Sequence, residues 1–140
     1  MATNTAGNFG HNNIRSDVQS IKKRITFDNW AGTTNDRVVV GYLPPRAVVF
    51  YGATLIITAF NDTTADDLEI GIEGTDDDLF GSAVDLNTGS VYTTFDDLAD
   101  ANRYSASART VTCNFETAPT DDGTTGEAII YLEYFIAPSV

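Results

Sequence analysis

The sequence predicts an all-β fold, a jelly-roll-like β-sandwich of about eight strands carrying an extended N-terminal arm. Three observations predict it. Short apolar or alternating segments recur at fairly regular spacing, divided by turn-rich loops of Gly, Pro, Asn, Asp and Thr, which is the habit of sandwiches and jelly rolls. Helical periodicity is almost absent. Two long segments, residues 47–60 and 127–137, are apolar on both alternating faces, so each belongs inside a sheet covered on both sides. The covering is a second sheet or another subunit.

Residues 1–13 (MATNTAGNFGHNN) are polar and small apart from Phe9, too poor in apolar surface to order themselves. Ile14, Val18, Ile21 and Ile25 share one helical face, whereas Ile21, Lys23, Ile25 and Phe27 share one side of a strand. A strand over residues 22–27 is the better fit, with residues 14–19 open. The arm is therefore taken as residues 1–24 and the sandwich as residues 25–140. Residues 28–36 are turn chemistry around Trp30. Residues 37–42 and 47–60 then form two strands separated by Leu43-Pro44-Pro45-Arg46, a bend that neither a helix nor a central strand can run through.

Leu68, Ile70 and Ile72 alternate with Glu69 and Glu73, the pattern of a half-buried strand. Residues 79–86 and 91–95 read as short extended pieces around the Asn87-Thr88-Gly89-Ser90 turn, and residues 95–103 as one helical turn. Residues 109–116 alternate Val111, Cys113 and Phe115 with Thr112, Asn114 and Glu116. The closing segment, residues 127–137, is expected to pair with 47–60 at a sheet centre, in a non-sequential, Greek-key-like order.

At 140 residues the chain is one domain with a real core. No apolar run of about 18 residues occurs, and the N-terminal stretch carries no apolar h-region of a secretory leader, so neither membrane nor export is expected. The single cysteine, Cys113, excludes an intrachain disulfide and reads as a buried small hydrophobe. A nucleophilic thiol or hydroxyl needs a histidine on rigid structure, and the only one, His11, lies in the polar arm.

Zinc spacing, phosphate-binding loops and dinucleotide fingerprints are missing from the sequence. The carboxylate clusters Asp66/Asp67, Asp76 to Asp78, Asp96/Asp97 and Asp121/Asp122 fall in turns, where solvation and turn capping account for them. A calcium loop at residues 74–78 is the sharper alternative, without the spacing of an EF-hand. Trp30, Tyr42, Tyr92 and Tyr104 are the candidates for a sugar platform, but their spacing demands none. No cofactor, metal or catalytic residue is expected.

Charge divides the chain. Residues 1–24 hold Arg15, Lys22, Lys23 and Arg24 against Asp17, a net +3; residues 25–140 hold four arginines against nineteen acids, a net −15. The acidic body repels phosphate backbones, so no nucleic-acid partner is expected. A basic arm on such a body suits a tether lying on an acidic partner or on a neighbouring copy.

The order of segments is also familiar. Ile21-Lys22-Lys23-Arg24-Ile25-Thr26-Phe27, an acidic turn, Leu43-Pro44-Pro45-Arg46-Ala47-Val48-Val49, and the stretch GTDDDLFGSAVDLNTGSV at residues 74–91 together resemble a group of small tailed-bacteriophage virion proteins. These are the capsid decoration or cement proteins and the related head-fibre bases. The likeness covers about residues 20–137, with loose motifs, and Arg46 stands where the pattern has Gly. It implies a homotrimer on the capsid exterior of the virion, clamping the major capsid protein and stabilising the shell. Arg15, Lys22, Lys23 and Arg24 are then expected to bind the capsid, and Tyr131, Tyr134 and Phe135 to lie between subunits. The rival expectations are a head-fibre or receptor/carbohydrate-binding β-sandwich module and, last, a hydrolase using loop carboxylates.

Overall fold

The computed structural model describes residues 18–30, 37–61, 67–96, 98–115 and 123–138. Eight strands follow one another: β1 (Gln19–Thr26), β2 (Val38–Leu43), β3 (Ala47–Thr58), β4 (Asp67–Ile72), β5 (Asp76–Asp85), β6 (Val91–Thr94), β7 (Arg109–Phe115) and β8 (Glu127–Ile136). A 3₁₀ turn (Phe27–Trp30) and one helical turn, α1 (Asp100–Arg103), interrupt them. Every pairing is antiparallel, in two four-stranded sheets ordered β1-β8-β3-β6 and β2-β7-β4-β5.

The order has a simple logic. β1 pairs with β8, β2 with β7, β3 with β6 and β4 with β5, so the chain behaves as one long antiparallel ribbon, turned at β4–β5 and rolled into two layers. That is the jelly roll, as the alternation predicts, and β3 and β8 do pair at a sheet centre. The sandwich begins at Gln19 among the described residues, six positions before the boundary expected at Ile25.

The ribbon changes sheets between β2 and β3, where Pro44, Pro45 and Arg46 make a tight turn closed by Ala47 N–H donating to Pro44 O at 3.2 Å. Pro45 precedes Arg46 at φ 66°, the type II pattern in which the third residue is usually Gly. The left-handed backbone costs an arginine about 1–2 kcal/mol. Three hydrogen bonds hold it: Arg46 N–H to Ser105 O at 2.9 Å, Ala137 N–H to Arg46 O at 2.9 Å, and Arg46 Nη1 to Ala137 O at 3.1 Å.

The returning strand of the ribbon turns beside it. Arg109 stitches that corner by donating from Nη1 to Asn102 O at 2.9 Å and from Nη2 to Arg103 O at 3.0 Å. Its guanidinium lies 5.7 Å over the Phe80 ring, and burial lowers its pKa.

Between the layers lie Ile25, Val49, Ile56, Leu68, Ile70, Phe80, Val111, Cys113, Ile130 and Leu132, all buried. Close approach decides two glycines. A Cβ on Gly52 would collide with the Phe95 ring, and one on Gly41 would stand 2.6 Å from Ile21 Cγ2 where β1 meets β2. Cys113 is fully buried as expected, and burial pushes its thiol up to about 12.

Candidate assembly surface

The two sheets present very different outer faces. On β4 and β7 the core takes Leu68, Ile70, Val111, Cys113 and Phe115, and the outer positions are Asp67, Glu69, Thr110, Thr112 and Asn114. That is polar-out alternation on these two strands, although Thr112 is only 2% exposed and Val39 and Tyr42 of β2, opposite Thr112 and Thr110, add exposed apolar side chains to the same face. On β8 the core takes Ala128, Ile130, Leu132 and Tyr134. Its outer positions are Glu127, Ile129, Tyr131, Glu133 and Phe135, mostly apolar although they face away from the core.

Register extends this apolar face across the sheet, because directly paired residues share a side. Tyr92 on β6 stands opposite Leu55 on β3, Leu55 opposite Ile129 on β8, and Ile129 opposite Arg24 on β1. The adjacent row runs Thr94, Ala53, Tyr131 and Lys22. Tyr51 and Tyr131 meet edge to face with ring centroids 6.3 Å apart, and Phe50 and Phe135 lie 6.0 Å apart. Tyr92 is 57% exposed and Leu55 and Ile57 are each 41% exposed. No described residue covers them.

The two acids on this face are already partnered. Arg24 Nε donates to Glu127 Oε1 at 2.6 Å, and this hydrogen bond holds the Glu127 carboxyl below its ordinary pKa. The Tyr131 hydroxyl donates to Glu133 Oε1, which raises the phenol's pKa. The surface is therefore wide, apolar and nearly free of unpaired charge.

The structure distributes the expected contact residues unevenly. Tyr131 and Phe135 lie on the apolar face. Tyr134 does not: it is 6% exposed and its hydroxyl donates to Gln19 Oε1 at 2.9 Å, because its place on β8 points it into the core. Lys22 and Arg24 face outward from β1, whereas Lys23 shares the core side with Ile21 and Ile25 at the rim and is half-buried. Arg15 lies outside the described residues.

Tyr51, Leu55, Ile57 and Ile129 complete the face together with Tyr92 and, unlike Tyr92, were not singled out from sequence. Two irregularities in β3 explain part of this. The register slips between Val49 and Tyr51 and again between Ile56 and Thr58, so a bulge at Phe50 exchanges the faces. The core set becomes Ala47, Val49, Thr54 and Ile56, not one continuous alternation from Ala47 to Ile57.

Of the carboxylate clusters, Asp66, Asp97, Asp121 and Asp122 lie outside the described residues. Asp76, Asp77 and Asp78 line a shallow hollow with Arg37 and Glu69, and Arg37 Nη2 donates to Asp77 Oδ2 at 2.5 Å. Among the described residues, no group of three or more His, Cys, Asp or Glu able to hold a metal occurs, and no helix is long and apolar enough to cross a membrane.

No protein-family model and no curated protein matches the chain. Solved structures do resemble it. A chain of the acid-stable capsid of Helicobacter pylori bacteriophage KHP30 superposes with TM-score 0.65 at 17% identity, covering 89% of this chain and 91% of that one. A chain of the capsid of Ralstonia phage GP4 gives 0.64 at 18%, covering 88% and 86%. A chain of the capsid asymmetric unit of cyanophage Pam1 gives 0.58 at 18%, covering 86% and 85%. At such identities the shared property is the fold, over nearly the full length of each chain.

Proposed function

We propose that this chain is a structural virion protein: a capsid decoration, or cement, protein that binds the outside of a phage head as a homotrimer and stabilises the shell. One observation carries the reading. A jelly roll whose likenesses come from phage capsids leaves a broad apolar sheet face uncovered by its own described residues. Monomers rarely expose contiguous apolar surface of that kind, and such patches mark interaction sites.

In this reading the chain is not an enzyme, its partners are the major capsid protein and copies of itself, and Tyr131 and Phe135 serve the intersubunit contact. Arg15, Lys22, Lys23 and Arg24 bind the capsid in this reading. Repeated attachment over a lattice makes weak single contacts collectively strong.

The test is co-sedimentation of the full-length chain with heads of its phage assembled without it, followed by heating of the decorated and bare heads. Saturable binding and a higher temperature of DNA release are expected; no binding contradicts the reading. A carbohydrate- or receptor-binding module is the second reading, favoured by the exposure of Tyr42, Tyr92 and Tyr104. Glycan binding lost on substitution of these tyrosines would replace the first.

A further inference from the structure

The described surface is polarised from one edge of the sandwich to the other. β1 carries Lys22, Lys23 and Arg24 and no acid. The opposite edge is built by β5 and β6, and the described residues between 76 and 100 include six aspartates and neither Lys nor Arg. Asp85 ends β5, and Asp96 follows β6 closely enough to accept from Ser82 N–H at 3.4 Å. Between these rims lies the apolar face of Tyr92, Leu55, Ile129 and Tyr131.

We infer that this face packs against a second copy of the same chain, head to tail, with the cationic β1 rim of one copy beside the acidic β5–β6 rim of the next. The inference rests on the self-assembly part of the function proposed above and names the surface it uses. With a net charge of −12, copies repel one another over most orientations. The β1 rim is the described strand richest in cations, so joining it to the acidic rim turns that repulsion into attraction and selects one register.

The face itself comes out of water at little electrostatic cost, since Glu127 and Glu133 already have partners. Its size suits the purpose. Strands of 8, 12, 10 and 4 residues at ~3.4 Å per residue and about 4.8 Å apart give on the order of 550 Å² in projection, the same order as the ~800 Å² per partner of a standard interface. The strand directions agree as well. β1 and β6 run oppositely, so β1 of a neighbour in the same orientation lies antiparallel to β6. A contact between two unlike rims is heterologous, and heterologous contacts close rings when the rotation between copies closes and otherwise extend as filaments.

The experiment is size-exclusion with light scattering on the full-length chain at micromolar concentration and low salt, each variant checked by circular dichroism and melting. The parent protein is expected to be a closed oligomer, and Leu55→Glu a monomer of unchanged β content. Lys22→Glu and Asp96→Lys should each weaken association by roughly tenfold or more, and the double variant Lys22→Glu/Asp96→Lys should restore it. Glu73→Lys, on the exposed β4–β5 turn, should change nothing.

A monomeric parent protein, or a Leu55→Glu variant that stays oligomeric, overturns the inference. Failure of the double variant to recover overturns the head-to-tail pairing of rims. A monomeric parent that still binds heads defeats this inference and the homotrimer, and leaves only the capsid-binding part of the cement reading standing. An oligomer that Leu55→Glu dissolves but that ignores heads does the reverse.

Discussion

The outer faces of the two sheets are made by the same strand geometry and teach opposite lessons. On the β2-β7-β4-β5 sheet, polar Glu69, Thr110 and Asn114 alternate with buried Ile70, Val111 and Cys113, and Val39 and Tyr42 of β2 are the large apolar side chains exposed on that face. On the β1-β8-β3-β6 sheet, Ile129 and Tyr131 alternate with equally apolar Ile130 and Leu132. Folding uses only one of those sets. The surplus apolar surface has no role inside the described subunit, and it is what the proposed self-assembly would cover.

Neighbouring residues of β8 give the sharpest way to break the comparison. Ile130→Ala should cost about 2–5 kcal/mol of subunit stability, as for other fully buried large-to-small changes, measured by denaturant unfolding. Ile129→Ala should cost a dilute subunit less than about 1.5 kcal/mol yet weaken self-association, measured by sedimentation at several concentrations. Equal costs at both positions would mean that the outer face is part of the core.

The next effect lies at the corner joining the two sheets. Arg46→Val places a β-branched residue in left-handed backbone and removes the bond to Ala137 O, at a cost of about 1–3 kcal/mol. Arg46→Gly relieves the backbone while losing the same bond, so its melting temperature should stay close to that of the parent. A Val variant as stable as the Gly variant would show that the turn can adopt another conformation.

The Cys113 thiol gives a smaller, pH-dependent effect. Its folded pKa is raised from 9.0 to about 12, so the native state keeps the proton that the unfolded chain gives up. The associated stability is fully present below pH 9 and declines as pH rises toward 12. Alkaline denaturation followed with and without Cys113→Ala, and thiol labelling that requires unfolding, check this. Rapid labelling of the native chain at pH 8 would contradict the burial. Least of all, Arg24→Ala should barely move the melting temperature, because its ion pair with Glu127 is exposed.

The fold was legible because local alternation survives in most strands. Leu68, Ile70 and Ile72, or Val111, Cys113 and Phe115, announce both a strand and its inner side. The pairing of β3 with β8 followed from their shared two-sided apolarity, although the full strand order did not, since partners far apart in sequence leave no local mark. The same two-sidedness hid which apolar residues face outward. When Tyr131 and Tyr134 both sit in an apolar strand, only the register set by β1 and β3 decides which one is core.

The Phe50 bulge moved residues between faces where the sequence shows an unbroken alternation. Gln19, the partner of the Tyr134 hydroxyl, fell in a stretch equally compatible with a helix, and the basic run at residues 22–24 looked like a tether although it is an edge strand.

The central claim is that the outer face of the β1-β8-β3-β6 sheet is covered in the working assembly while the opposite face stays wet. Hydroxyl-radical footprinting of the full-length chain, dilute and then at the concentration where it assembles, reads this directly. Protection of Tyr92, Leu55 and Ile129 on assembly, with Glu69 and Thr110 unchanged, is the expected result. Undiminished oxidation of Tyr92 and Leu55 in the assembled state would contradict the account.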